Sequence, residues 1–222
     1  MICNVQFKKE ENQAKLYFYF GVMNSGKSTL LLQSIYDLEL YGINALETNI
    51  LLFKPIIDTR FHKNEISARI GIHRKAYSFH GNFNFYNYVL LITKIMKKKI
   101  KYIFIDEAQF LTVKQVNQLV KIVDELNINV YTYGLRTDFK GYFFPASKRL
   151  MEISDKLIGL SSFCYCGAKA IMNIRVHKNG KCISEGDQIQ IGDVGTSYFS
   201  VCRKHHGKDV PLKIIDYNKK SK

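Results

Sequence analysis

Three short groups in this 222-residue chain have the residue types and spacing to work on a phosphate. Gly21-Val22-Met23-Asn24-Ser25-Gly26-Lys27-Ser28 fits the pattern G-x-x-x-x-G-K-[ST] at every position. Glycines in such a loop let backbone N–H groups turn inward around an anion, Lys27 can reach the terminal phosphates, and the Ser28 hydroxyl can ligate Mg²⁺. The pattern also occurs by chance, but here an apolar run precedes it and a helix-like segment follows, which is the context the loop needs. Asp106-Glu107 ends the apolar run Ile103-Phe104-Ile105. A carboxylate at the end of a buried strand can hold Mg²⁺ together with Ser28, and Glu107 beside it can take the proton of an attacking hydroxyl or water. An acidic pair ahead of a helix would also suit the helix dipole without any catalysis. In Asp58-Thr59-Arg60, Arg60 can stabilise charge on a transferring phosphoryl group while Asp58 reaches the metal shell or orients the arginine. In isolation that triplet is equally a surface turn with a salt bridge.

A fourth group suits a metal. The five cysteines are Cys3, Cys164, Cys166, Cys182 and Cys202, an odd set without an export signal, so a disulfide framework is not the expectation. Cys164-Tyr165-Cys166 and Cys202-Arg203-Lys204-His205 supply three thiolates and an imidazole, a tetrahedral zinc set. Such a site would be structural, because all four positions are protein ligands. The C-x-C pair is tighter than the usual C-x2-C, and buried thiols beside a surface histidine are the competing reading. His206 is the alternative to His205, and Cys3 and Cys182 have no partner at ligand spacing.

These groups need elements to hold them. Leu16–Phe20 reads as a strand buried on both faces. Leu30, Leu31, Ile35, Leu38 and Leu40 recur at helical spacing until Gly42. Ile50–Phe53 predicts a second strand, closed by Lys54-Pro55, and residues 61–82, mixed, basic and containing histidine, read as a mobile loop region. A helix over Phe85–Met96, a strand over Lys101–Asp106, a helix marked by Val113, Val116, Leu119, Val120 and Val123, and a strand over Asn129–Tyr133 follow. Strands alternating with helices predict an α/β fold with a P-loop, RecA-like parallel sheet flanked by helices. Beyond about Ser161, short strands, glycine-rich turns and the cysteines suggest a small separate lobe. The resulting division is a loose leader over 1–14, a nucleotide-binding domain over 15–160, a zinc-binding lobe over 161–210 and a basic tail over 211–222.

Composition narrows the function less. A 46% hydrophobic content argues against wholesale disorder. No apolar run nears the roughly 20 residues of a membrane span, and the N-terminus lacks the apolar core of a secretory signal, so a cytoplasmic protein without a membrane partner is expected. The formal charge of +14 suits a nucleic-acid backbone, or simply a basic surface that attracts an anionic nucleotide. Lysines are scattered, with clusters at Lys97–Lys99 and near the C-terminus, and composition does not decide between the two.

In this order, the phosphate loop, DTR, IDEAQF, YGLRTDFKG, FCYCG and SYFSVCRKHH resemble the type II thymidine kinases over roughly Ala14 to Gly207. GLRTDF with the short C-x-C is similar to one bacterial branch. The resemblance implies ATP-dependent phosphorylation of the 5′-hydroxyl of thymidine. Gly21 to Ser28 would cradle the triphosphate, completed by Asp58, Thr59, Arg60, Asp106, Glu107, Ala108 and Gln109, with Mg²⁺ on Ser28 and Asp106 and Glu107 as general base. Met23, Phe110, Leu135, Phe139 and Phe144 would wall the thymine pocket, although each alone also reads as an ordinary core or loop residue. A lasso loop between the zinc pairs closes the family's pocket with backbone groups. It maps here to Gln188, Ile189, Gln190, Ile191 and Gly192, with Tyr198 reaching the sugar, and the zinc on Cys164, Cys166, Cys202 and His205 fastens both its ends. Family members are commonly homotetramers. The sequence departs from the pattern in the leader before Ala14, in a longer segment over Asn44–Asn49, and in one extra residue between Gly192 and Tyr198 that shifts the lasso register.

Two other classes stay in view. Asp106-Glu107-Ala108-Gln109 also resembles a helicase box, so a single-domain P-loop ATPase acting on nucleic acid is the alternative, stimulated by single-stranded DNA rather than thymidine. Motors of that type usually carry two such sheet domains, so no nucleic-acid partner is expected. The remaining class is a zinc-ribbon interaction module with a vestigial ATP site.

Overall fold

The structure, a computed structural model, describes residues 13–41, 49–58, 64–68, 70–97, 99–189 and 195–215. In chain order the elements of the first part are β1 (Leu16–Gly21), α1 (Lys27–Tyr41), β2 (Asn49–Pro55), β3 (Glu65–Ser67), β4 (His73–Lys75), β5 (Tyr77–Phe79), α2 (Phe85–Met96), β6 (Ile100–Ile105), α3 (Val113–Leu126), β7 (Asn129–Leu135), α4 (Pro145–Ile153) and β8 (Lys156–Gly159). The C-terminal part adds β9 (Ser162–Phe163), β10 (Lys169–Ala170), β11 (Met172–His177), β12 (Cys182–Ile183) and β13 (Thr196–Val201).

Six strands make one sheet in the order β5-β2-β6-β7-β1-β8, every neighbouring pair parallel. Parallel strands buried on both faces carry apolar residues at successive positions, which is why β1, β6 and β7 read as near-continuous hydrophobic runs. Alternate residues then feed two cores. Leu16, Phe18, Leu51, Phe53, Ile103, Ile105 and Val130 pack with Phe85 and Val89 of α2, Val116, Leu119, Ile122 and Val123 of α3, and Ala146 and Leu150 of α4. Tyr19, Leu52, Phe104, Tyr131 and Tyr133 face the other way, against Leu31, Leu32, Ile35 and Leu38 of α1. On that face the rings stack: Tyr17 on Tyr131 at 4.4 Å, Tyr19 on Tyr133 at 4.5 Å and Phe104 on Tyr131 at 4.8 Å between centroids. Helix starts follow local chemistry. Thr112 and Gln115 form a reciprocal capping box on α3, and Pro145 opens α4 where its missing N–H costs nothing.

Two expectations are corrected. The described part of residues 61–82 is not a loose loop: β3 and β4 form an antiparallel hairpin and β5 becomes an edge strand of the main sheet. Their apolar residues are few, but Ile66, Ala68, Ala76 and Phe79 are all buried, and three-residue strands are too short to show a period. Lys54-Pro55 does not close β2 either. Pro55 continues the strand opposite Phe79, at its very end, where a missing donor is tolerated. Residues 1–12 of the expected leader, 42–48 and 216–222 of the expected tail lie outside the described residues.

In the C-terminal part, β11 pairs antiparallel with both β12 and β13. Its apolar cluster joins Ile174, Val176, Phe199, Val201, Val210 and Ile215 to Cys164, and also to Val22 of the phosphate loop. No helix among the described residues is long and apolar enough to cross a membrane.

Candidate active site and metal centre

The chemistry-bearing groups collect at the carboxyl ends of the parallel strands, where an open α/β sheet presents its crevice. The phosphate loop follows β1 and leads straight into α1, whose N-terminal N–H groups favour an anion. Asn24 (φ 58) and Gly26 (φ 77) both take left-handed conformations, which turn successive backbone N–H groups toward one side. Asparagine and glycine are the residue types that do so at least cost. Lys27 is buried, and its Nζ donates to Val22 O at 2.7 Å, folding the side chain over the loop.

Asp106 follows β6 directly, with its N–H on Phe53 O. One of its carboxylate oxygens accepts from Ser28 Oγ at 2.8 Å and the other from the Glu107 N–H at 3.0 Å. The two residues expected to ligate Mg²⁺ thus touch, and Glu107 is joined to the phosphate loop through a single carboxylate. Glu107 is 7% exposed and holds a left-handed backbone (φ 50, ψ 44), strain of about 1–3 kcal/mol for a non-glycine residue. Its side chain does not swing freely. Gln109 Nε2 donates to Glu107 Oε2 at 2.5 Å, while Gln109 Oε1 accepts the Leu135 N–H at 2.9 Å. The carboxylate is therefore tied through one amide to the end of β7. Gly134 makes room: a Cβ there would stand 2.9 Å from Gln109 Oε1 and 3.1 Å from Gln109 N.

Asp58 lies beyond β2, 8% exposed, with its carboxylate 3.6 Å from Lys54 Nζ. Lys54 is itself 1% exposed and donates to Glu65 O at 3.0 Å, so a buried cation links the DTR segment to the β3 hairpin. Thr59 and Arg60 lie outside the described residues.

On the expected nucleoside side, Phe110 and Phe144 meet edge to face at 6.3 Å, and Phe139 is buried with the Arg175 guanidinium 4.4 Å over its ring. Leu135 is half-buried and uses its carbonyl to accept from Ser147 Oγ. Gln188 spends its side chain on Asp138 Oδ2 at 2.9 Å and Phe143 O at 3.3 Å, and Lys140 Nζ and Arg175 Nη2 hold the carbonyls of Gly186 and Glu185. This end of the expected lasso is thereby fastened to the 138–143 loop. Ile189 is exposed, and Tyr198 sits on β13 opposite Arg175. Gln190, Ile191 and Gly192 lie outside the described residues.

Cys164, Cys166, Cys202 and His205 converge, with one ligand atom each and all four within 4.8 Å of one another. Cys164 Sγ and His205 Nδ1 are 3.5 Å apart, Cys202 Sγ and His205 Nδ1 3.3 Å, and Cys166 Sγ and Cys202 Sγ 3.9 Å. Bond lengths of about 2.3 Å to sulfur and 2.0–2.1 Å to nitrogen put tetrahedral ligands at such separations, so the set fits a zinc ion. Burial pushes the Cys164 thiol up. At Cys202 desolvation pushes the same way, but hydrogen bonds from the His205 and Lys204 backbone and from the neighbouring thiols outweigh it and lower the value. A bound cation would override this difference by deprotonating all three thiols. His206, the alternative ligand, turns elsewhere, with Nε2 3.0 Å from Phe139 O.

Sequence reasoning passed over Lys54, Gly134, Asn173, Arg175 and Ser200, which brace these groups. Only Gly134 left a signal, as a glycine just past the expected strand Asn129–Tyr133; β7 runs on to Leu135 and places it inside the strand, where a glycine marks a close backbone approach.

A parallel sheet with this loop after β1, an acidic pair after β6 on the far side of the intervening β7, and a three-cysteine, one-histidine cluster that could hold a metal ion define a P-loop fold. The family model for thymidine kinase matches residues 14–206. A thymidine kinase of Legionella pneumophila (strain Paris) is 46% identical over 208 residues, 93% of this chain and 95% of the relative. One of Vibrio cholerae is 44% identical over 193 residues, 87% of this chain and 96% of its own, and one of Rhodopirellula baltica 45% over 192 residues, 86% and 87%. The chain belongs to the thymidine kinase family. Among solved structures, the Pif1 helicase of Candida albicans aligns with a TM-score of 0.38 at 17% identity, over 67% of this chain and 36% of the helicase, too little to argue from.

Proposed function

We propose that the protein transfers the γ-phosphoryl group of ATP to the 5′-hydroxyl of thymidine, giving dTMP and ADP. Membership of a kinase family makes it a phosphotransferase, and near full-length relatives at 44–46% identity that bear the name thymidine kinase support the substrate. One geometric observation carries the mechanism: Glu107, a buried carboxylate, is held by Gln109 on one side and joined through Asp106 to Ser28 of the phosphate loop on the other.

In this reading the N–H groups of residues 21–28 and Lys27 bind the triphosphate, and Ser28 and Asp106 would hold Mg²⁺, which would supply neutralisation of the charge that develops on the transferring phosphoryl group. Glu107 accepts the 5′-hydroxyl proton as the oxygen attacks the γ-phosphorus and the bond to the ADP oxygen breaks. Asp58, Thr59, Arg60 and Ala108 line the phosphate side. Met23, Phe110, Leu135, Phe139 and Phe144 enclose the base, residues 188–192 close over it, and Tyr198 faces the sugar. A structural zinc on Cys164, Cys166, Cys202 and His205, supported by their separations, would fasten both ends of the lasso within a lobe spanning about 161–210, beside a nucleotide-binding unit over 15–160. A homotetrameric, cytoplasmic enzyme completes the reading, by family resemblance.

The test is phosphoryl transfer from ATP–Mg²⁺ across a panel of nucleosides, with single-stranded DNA in a parallel arm. Thymidine-dependent ADP release and dTMP formation are the expected result. ADP release stimulated by DNA and indifferent to thymidine would replace this reading with a nucleic-acid ATPase.

A further inference from the structure

We propose that Asn173 and Ser200 are positioning residues that lock the phosphate loop to the nucleoside wall, so that the sites for the two substrates are held in one register. The proposal rests on the phosphotransfer reading above.

Asn173 of β11 and Ser200 of β13 are direct cross-strand partners. Both reach out of their own sheet to one residue of the phosphate loop. Asn173 Oδ1 accepts the Met23 N–H at 2.8 Å, and Ser200 Oγ donates to Met23 O at 2.5 Å. The same Asn173 amide turns its other end on the nucleoside side, with Nδ2 donating to Thr137 O at 3.2 Å. Thr137 opens the stretch that carries Phe139 and the anchors of the 185–188 segment. One side chain thus spans the phosphate loop and the base-pocket loop.

Packing repeats the connection. Val22 is buried in the C-terminal lobe's own apolar cluster rather than in either core of the main sheet. On the other side Arg136 Nη2 donates to Ile171 O at 3.1 Å, His206 Nε2 meets Phe139 O at 3.0 Å, and Arg175 covers the Phe139 ring. The β11–β13 ribbon therefore lies between the two half-sites and grips each.

Asn173 is an unexpected residue in this place. It is 2% exposed, in a strand whose neighbours Ile174 and Val176 are core residues. Asparagine is disfavoured in strands, and a buried amide is costly unless both its ends are bonded. Alternation puts the Asn173 side chain on the face away from Ile174 and Val176, so it adds nothing to their cluster. Both bonds of Asn173 instead lead out of the ribbon, one toward each substrate, and that is the role that accounts for an amide here. Because Met23 belongs to the phosphate loop and also walls the expected base pocket, a ligand that orders either side orders the anchor of the other.

The experiment measures affinity for a non-hydrolysable ATP analogue with Mg²⁺, with and without thymidine, alongside kcat, KM, zinc content and thermal midpoint. In the wild-type protein thymidine should tighten the analogue. Loss of one neutral hydrogen bond is read as roughly a 3–10-fold change in affinity. Ser200→Ala should weaken the analogue by about that factor and thymidine by less, because it frees Met23 O but leaves the Asn173 link from Met23 to Thr137 in place. Asn173→Ala should weaken both ligands and bring the ratio of the two analogue affinities to about 1, with zinc retained. If that variant fails to fold, Asn173→Asp keeps an acceptor for the Met23 N–H but sets an oxygen against Thr137 O, and should lose the coupling while keeping analogue binding. A wild-type ratio of about 1, or a coupling that survives in the Asn173 variants whatever their thermal midpoint, overturns the proposal. Wild-type protein that binds the analogue yet phosphorylates no nucleoside overturns the underlying reading instead.

Discussion

Alanine at position 134 tests the placement of Glu107 without altering any polar group. Its Cβ would stand 2.9 Å from Gln109 Oε1, 3.1 Å from Gln109 N and 3.3 Å from Ala108 N, so the neighbours must retreat by a few tenths of an ångström. The side-chain oxygen cannot swing away alone, because it accepts the Leu135 N–H at 2.9 Å and its amide nitrogen holds Glu107 at 2.5 Å. The two backbone nitrogens cannot retreat without moving the turn that bears Glu107. Either route displaces the carboxylate. Overpacking of this kind costs about 1–3 kcal/mol, offset in part by the roughly 0.5–1 kcal/mol that alanine gains over glycine inside a strand. The net loss is about 0–2.5 kcal/mol, below the roughly 5–15 kcal/mol that keeps a domain folded, so the protein should stay folded. Catalysis should suffer more: a misplacement near 1 Å costs on the order of 10²-fold, so a few tenths should lower kcat by about 10-fold. The assay is kcat with saturating ATP and thymidine, together with affinity for an ATP analogue, which should not change. Gly159→Ala is the control, since its Cβ would meet only the Phe20 ring at 3.4 Å and kcat should hold. A Gly134→Ala enzyme with wild-type kcat would refute the claim that the β7 contact sets the carboxylate.

Glu107→Gln should keep ATP binding and lose turnover by about 10²-fold or more, read in single-turnover transfer to thymidine; normal turnover removes Glu107 from the mechanism. Cys202→Ser should lower bound zinc below one per chain, reduce the thermal midpoint and weaken thymidine binding; freshly purified wild-type protein without zinc by metal analysis contradicts the assignment. At alkaline pH, burial, and after it the Tyr77 hydroxyl, push the Tyr88 phenol up to about 12, and burial raises Tyr17, Tyr102 and Tyr131 as well. The fold favours the neutral phenols, so their contribution is full below the ordinary value of about 10 and is lost as pH climbs toward the folded values. The urea midpoint should fall above about pH 10 as phenolate absorbance rises, and a flat midpoint through that range would contradict the burial argument.

Much of the site was legible because its chemistry is local in the chain. A loop that wraps a phosphate needs glycine at fixed offsets, and an acidic pair after an apolar run falls at a strand end whatever the fold around it. The parallel sheet was legible for a related reason: strands buried on both faces must be apolar throughout, and the rings of Tyr17, Tyr19, Phe104, Tyr131 and Tyr133 advertise it. The β3 hairpin and β5 stayed hidden because three-residue strands carry no period, and their pairing is decided by the hairpin partner and the sheet edge rather than by their own residues.

The sequence by itself determined which groups are candidates to bind phosphate, take a proton and ligate a metal, since those capacities belong to side-chain types and short spacings. Only the tertiary structure decided that Gln109 ties Glu107 to the Leu135 N–H of β7, that Lys54 reaches the β3 hairpin, and that Asn173 joins Met23 to Thr137. The physical reason is separation along the chain: Asn173 lies 150 residues from Met23 and 36 from Thr137, so no local propensity or period relates them until the sheet brings the three together.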